Sequence, residues 1–277
     1  MNIDALTSES RYIDAGGIRT HYVEAGKGET LILIHGGGAG ADGIGNWRRS
    51  VPVFAKRFRV IALDMIGFGA TGKPDPSRFE YSQVARLVHL RNFLDAMKIR
   101  TASFIGNSMG GCTALGLAVE SPERIERLVL MGSAGLTTTL HADLMPVINY
   151  DFTREGMVKL IRALTNADFK PEPELVDYRL KKSLEPDCRA AYGATMKWIK
   201  EQGGLFYPPE FIARVACPTL VVNGKDDKVV PVANAYKFLE LINNSWGYIV
   251  PHCGHWAMIE RPRDFARACL SFLQAAD

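Results

Sequence analysis

The chain has 277 residues, 47% of them hydrophobic and 23% charged, enough for one large α/β domain or two smaller ones around a substantial core. Its 33 basic and 30 acidic residues leave a formal net charge of +3 with no basic block, which argues against nucleic acid or an anionic membrane as partner. No apolar run reaches the roughly 20 residues of a membrane helix, and the opening MNIDALTSES lacks the basic and apolar regions of a signal peptide.

In chain order, GIRTHYVEAG (17–26) and ETLILIHGGG (29–38) read as strands, the second so apolar that it belongs in the centre of a sheet. RFRVIALDMIGFG (57–69) is a further β-rich run ending in glycines. A helix follows over 81–99, with Val84, Leu87, Leu90, Phe93, Leu94 and Met97 predicted as its core stripe. Strand 102–106, helix 109–121 and strand 125–135 continue the alternation that specifies a mostly parallel, doubly wound α/β sheet. Between 138 and 208 the pattern is helical with no strand, which predicts a helical lid inserted into a core domain made of 1–137 and 209–277. Alternation resumes with strand 218–224, helix 232–242, strand 246–251 and a last helix over 261–276.

Five cysteines, at 112, 188, 217, 253 and 269, are scattered and odd in number, which implies reduced thiols and a cytoplasmic protein. His252, Cys253 and His255 crowd one turn with no second ligand cluster, so neither a metal nor any other cofactor is expected.

GNSMGG (106–111) contains G-x-S-x-G, the pattern of a nucleophile elbow, where flanking glycines let a serine occupy a sharp strand-to-helix turn. Ser108 follows one strand, Asp226 and Asp227 another, and His255 a third; parallel strands bring such positions to one edge. A serine needs an imidazole to take its proton, and the imidazole needs an acid to fix its tautomer. Neighbouring side chains of an extended segment point oppositely, so only one of Asp226 and Asp227 faces the histidine. Gly254 favours His255 over His252 as the base. The negative charge that develops on an attacked carbonyl requires aimed N–H donors. HGGG (35–38) follows the central strand, so the amides of Gly37 and Met109 are the expected oxyanion hole. Gly36 and Gly38 beside them belong to the expected substrate-binding surface. His35 reads as a structural hydrogen-bonder beneath the loop, and Asp64 as the organiser of the following GFG turn.

The chain resembles the α/β-hydrolase superfamily throughout its core. HGGGAGADGIGNW, GNSMGG, LMGSAG, GKDDKVVP and CGHWAMIE together resemble the meta-cleavage product hydrolases, C–C bond hydrolases of bacterial aromatic degradation. YDFTREGM and EQGGLFYPPEF draw the likeness towards the biphenyl, carbazole and dibenzofuran branch. The resemblance implies Asp227 as the acid. It also implies Asn46, Asn107 and Trp256 as substrate contacts, and Arg179 as the ligand of the substrate carboxylate. Leu175, Tyr178 and Arg179 share one helix face, which allows that role; a solvated arginine is the competing reading. A homo-oligomer, dimer or tetramer, is also implied. The implied reaction is hydrolysis of a 2-hydroxy-6-oxo-hexa-2,4-dienoate with an aryl group at C6. Ketonisation precedes attack by Ser108, and the products are 2-hydroxypenta-2,4-dienoate and a carboxylic acid. A general carboxylesterase with the same three residues is the alternative, and a non-catalytic small-molecule receptor a third class. A haloalkane dehalogenase would need Asp at position 108.

Overall fold

The computed structural model describes residues 10–275. The signal-peptide reading of the first residues, and the outermost ends of the predicted core domain and last helix, lie outside them. Among the described residues one sheet holds β1 Ser10–Asp14, β2 Arg19–Ala25, β3 Thr30–Ile34, β4 Arg59–Leu63, β5 Ala102–Asn107, β6 Ile125–Met131, β7 Thr219–Gly224 and β8 Ser245–Val250. Their order is β1-β2-β4-β3-β5-β6-β7-β8. From β4 to β8 every pairing is parallel, whereas β1 with β2 and β2 with β4 are antiparallel. A tight turn closed by Ala15 N–H to Ile18 O joins β1 to β2, and such a hairpin needs no crossover helix. β1 escaped sequence reading because SRYID is exposed along most of its length and shows no apolar alternation. β5 and β7 are buried at every residue, and β3 at all but its first, as expected of parallel strands covered on both faces.

The longer helices are α1 Gln83–Ala96, α2 Met109–Glu120, α3 Arg154–Leu164, α4 Pro173–Ser183, α5 Pro186–Glu201, α6 Val232–Leu241 and α7 Pro262–Leu273. Ser82 starts α1 by accepting from Ala85 N–H. The predicted stripe of α1 is corrected at its start: Val84 is 69% exposed, while Leu87, Leu90, Phe93 and Leu94 are buried. Val84 and Phe93 are separated by about two and a half turns, so they point in opposite directions. Gln83 and Arg86 occupy the buried face instead.

α3, α4 and α5 lie between β6 and β7. The chain enters and leaves this helical stretch at one place, because Gly135 N–H and Thr137 N–H both donate to Leu205 O, and Tyr207 N–H donates to Gly135 O. No helix among the described residues is long and apolar enough to cross a membrane.

Candidate active site

β5 ends at Asn107 and α2 begins at Met109. Ser108, between them, has φ 54° and ψ −117°, a conformation that costs a non-glycine residue free energy. Its backbone is held in place: Ser108 N–H donates to Met131 O, and Ser108 O accepts from Cys112 and Ala134 N–H. The glycine frame is required by close approach. A Cβ on Gly110 would lie 2.5 Å from the carbonyl oxygens of Ile34 and His35.

His255 and Asp227 are both buried, and His255 Nδ1 lies 2.7 Å from Asp227 Oδ2. The other carboxylate oxygen accepts from the Val229 and Val230 N–H groups, at 3.0 and 2.9 Å. A carboxylate can only accept, so Nδ1 carries a proton, and in the neutral ring Nε2 is left as an acceptor. Asp226 is exposed and accepts from Asn166 Nδ2 at 2.7 Å, turned away from the imidazole. His252 is exposed, and its carbonyl accepts from the Arg261 guanidinium. Cys253 turns its thiol towards Gly254 O and Glu260.

Glu260, at the end of the short helix Ala257–Glu260, gathers this loop. Its two oxygens accept from the N–H groups of Gly254, Trp256 and Asn166 at 2.7 to 3.2 Å. Burial raises its carboxyl above the ordinary range despite these donors. The sequence reading missed Glu260; its signal was a lone acid close after the glycine–histidine pair.

Gly36, Gly37, Gly38, Asn46, Asn107, Ser108, Met109, Arg179, His255 and Trp256 all line one cavity. Met109 N–H is the first amide of α2 and has no carbonyl partner within the helix. Asn107 Nδ2 donates to Met131 O at 3.1 Å, and its Oδ1 is buried without a partner. Beneath the glycine loop, His35 Nδ1 donates to Gly36 O and Nε2 accepts from Met65 N–H, so the ring is neutral. Burial pushes its pKa below the usual value. Asp64 accepts from Gly43 and Ala70 N–H and from His21 Nδ1, bracketing the turn that follows β4.

Arg179, on α4, is 1% exposed rather than solvated. Its guanidinium lies 4.7 Å from the Trp256 ring centroid, and Nη1 donates to Asn46 Oδ1 at 3.3 Å. Nε has no partner, and no carboxylate among the described residues lies within ion-pair distance. Burial pushes its pKa down to about 10, so it remains a cation at neutral pH. Apart from Thr137 the rest of the wall is apolar, and it comes largely from the stretch between β6 and β7, including Leu140, Val147, Ile148, Met196 and Ile199. An apolar chamber with a buried cation, a serine and a carboxylate-oriented imidazole can bind an organic anion and attack an electrophilic carbon in it.

The α/β hydrolase fold family matches residues 29–262. A 2-hydroxy-6-oxo-6-(2'-aminophenyl)hexa-2,4-dienoic acid hydrolase of Metapseudomonas resinovorans is 60% identical over 264 residues, covering 95% of this chain and 90% of that protein. A 2-hydroxy-6-oxo-2,4-heptadienoate hydrolase of Pseudomonas putida is 33% identical over 272 residues, 96% of this chain and 97% of that one. Among solved structures, a serine hydrolase involved in carbazole degradation superimposes with a TM-score of 0.88 at 58% identity, covering 95% and 98% of the two chains.

Proposed function

This chain belongs to the α/β hydrolase fold family, in its meta-cleavage product hydrolase branch, and we propose that it hydrolyses the C5–C6 bond of 2-hydroxy-6-oxo-hexa-2,4-dienoates bearing an aryl group at C6. The observation that carries this reading is Arg179: a buried guanidinium without an acid, opening on an apolar chamber that also holds Ser108 and His255. Such a cation calls for an anionic ligand, and a guanidinium suits a carboxylate.

In this reading residues 138–208 are a lid. Ser108 is the nucleophile, His255 the base and proton carrier, and Asp227 its orienting acid. The amides of Gly37 and Met109 receive the oxyanion. Arg179, Asn46 and Asn107 hold the hydroxy-dienoate end, with Trp256, Gly36 and Gly38 shaping the surface around it. Asn107 Oδ1, the free pole of that amide, is an acceptor for the substrate 2-hydroxyl.

The order of steps follows from leaving-group chemistry. Direct hydrolysis of the dienol would expel an unstabilised vinyl carbanion. Moving the 2-hydroxyl proton to C5 first gives a 2-oxo-3-ene, and His255 Nε2, free to accept, is the carrier. Ser108 then attacks C6, and its proton passes to His255. The C5–C6 bond breaks with its electrons delocalised over C5 to the C2 oxygen, which takes up a proton to give 2-hydroxypenta-2,4-dienoate. Water activated by His255 releases the carboxylic acid from the acyl-enzyme. No cofactor enters these steps. A cytoplasmic homo-oligomer is part of the proposal; the five unpaired thiols fit a reducing compartment.

Turnover of a yellow 6-phenyl dienoate compared with a nitrophenyl ester tests the reading, and faster turnover of the ester would put a general carboxylesterase in its place. In deuterated water one solvent deuterium should enter the product at C5. A Ser108→Ala variant should still shift the bound dienoate spectrum without forming products. A bound spectrum that stays that of the free dienolate in this variant would overturn the order of steps.

A further inference from the structure

We propose that Asp42, which does not line the cavity, is a positioning residue whose buried carboxylate clasps α4 to the turn carrying Asn46 and so aims Arg179. The inference rests on the functional reading above. Asp42 is 4% exposed. One of its oxygens caps the helix Gly43–Trp47 by accepting from Gly45 N–H at 2.5 Å, and its carbonyl accepts from Asn46 N–H at 3.2 Å. The other oxygen accepts from the Tyr178 hydroxyl at 2.5 Å, with Lys182 Nζ at 3.7 Å. Tyr178 precedes Arg179 in α4, and Lys182 lies one turn further on.

A single residue therefore holds the turn of Asn46, through its carbonyl and its bond to Gly45, and, through Tyr178, the residue that precedes Arg179. The surfaces around it leave little room for another alignment. A Cβ on Gly45 would lie 2.8 Å from Tyr178 Cε1, and one on Gly40 only 2.1 Å from Arg179 O. Gly40 is thus packed against the backbone of α4, and Gly45 against the Tyr178 ring. Burial and the nearby Asp64 raise the Asp42 carboxyl, so its ionised form depends on the donors supplied by Tyr178, Lys182 and Gly45. Arg179 itself could stack on Trp256 in several alignments, since a cation over a ring face is held without a directional bond. The Asp42–Tyr178 hydrogen bond selects one.

The test uses Tyr178→Phe, which removes only the hydroxyl, alone and combined with Arg179→Ala. Asp42→Asn serves as a second disruption of the same clasp. Dissociation constants for a 6-phenyl dienoate are measured in a Ser108→Ala background, and KM and kcat for the dienoate and a neutral nitrophenyl ester in the active protein. Tyr178→Phe should weaken dienoate binding about three- to tenfold, with ester KM and both kcat values changed less than about twofold. With Arg179→Ala already present, Tyr178→Phe should add no further loss. An equal loss for the ester, or an undiminished loss in the Arg179→Ala background, would overturn the proposal and leave the hydroxyl a general strut of the lid. Unchanged dienoate binding in Tyr178→Phe would overturn it also. Absence of dienoate turnover in the unaltered protein would remove the functional reading itself, and is seen before any substitution is made.

Discussion

Removing the Ser108 hydroxyl or the His255 imidazole is expected to lower dienoate turnover by about 10³-fold or more, with the double variant little worse than either single one. In the proposed mechanism each group is useless without the other: the hydroxyl needs Nε2 as its base, and Nε2 is an acceptor when Asp227 holds the ring proton on Nδ1. Asp227→Asn should reverse that tautomer, whereas Asp226→Asn should cost only its hydrogen bond to Asn166; steady-state kinetics of the two variants compares them. Arg179→Ala should raise KM for the dienoate by the equivalent of about 1.5–3 kcal/mol and leave KM for a neutral ester much less affected. Ser108, Gly110, HGGG and the glycine–histidine pair could be found in the sequence because each is tied to a strand end by adjacent residues. The choice of Asp227 over Asp226 came from the family resemblance alone, since the turn after β7 decides which carboxylate faces inward. The burial of Arg179 was equally hidden: a helix face says which residues align, not what covers them.

At the scale of elements, the site depends on loops held by one partly buried acid, Glu260, and one buried acid, Asp42. The loop before the helix Ala257–Glu260 carries His255 and Trp256, and Glu260 accepts from its amides and from Asn166 at the end of α3. His255 N–H adds a bond to Leu164 O. The His255 loop and the stretch between β6 and β7 are thereby tied together near α3, while Asp42 and Tyr178 tie the turn of Asn46 to α4. A glutamine at 260 offers one acceptor oxygen in place of two, so Glu260→Gln should leave an amide unpaired and cost about 1–2 kcal/mol in denaturant unfolding at neutral pH. The pH dependence has a definite sign. The folded carboxyl is raised above its unfolded value, so its contribution is fully present below the unfolded pKa and declines as pH rises through the folded one. Glu260→Gln should flatten the stability profile over that interval, and a slope unchanged from the parent protein would show that another group sets it. The elements themselves were legible where periodicity was long or strands wholly apolar. α1 shows the limit: a row of i, i+3 apolar positions drifts around the helix, and Arg86 took the buried place that Val84 seemed to claim.

At the scale of the whole molecule, the sheet edge carries Ser108, Asp227 and His255, and the stretch between β6 and β7 supplies the apolar wall that, in the proposed reading, meets the substrate tail. Strand ends were readable because alternation fixes a parallel sheet and its carboxyl edge. The wall was not, because Val147, Met196 and Ile199 come together only through packing among helices whose sequence spacing says nothing of their mutual angles. That wall makes the last prediction. Among the described residues, Arg179 and His255 are the only side chains lining the cavity that can carry a charge. A phenyl group at C6 buries roughly 100 Å² more apolar surface than a methyl group, which at about 25 cal/mol per Å² contributes about 2.5 kcal/mol, or on the order of 50-fold in kcat/KM. An isopropyl group should fall between them. A carboxylate on the C6 substituent should do worse than methyl, because it would be desolvated against aliphatic side chains with no cation to receive it. The measurement is kcat/KM across the four dienoates, followed by their disappearance at a single pH and salt concentration. If the methyl or carboxylate substrate matched the phenyl one, the substituent would be lying elsewhere than against Val147, Met196 and Ile199, and the aryl preference would fall while the catalytic assignment of Ser108 and His255 stood.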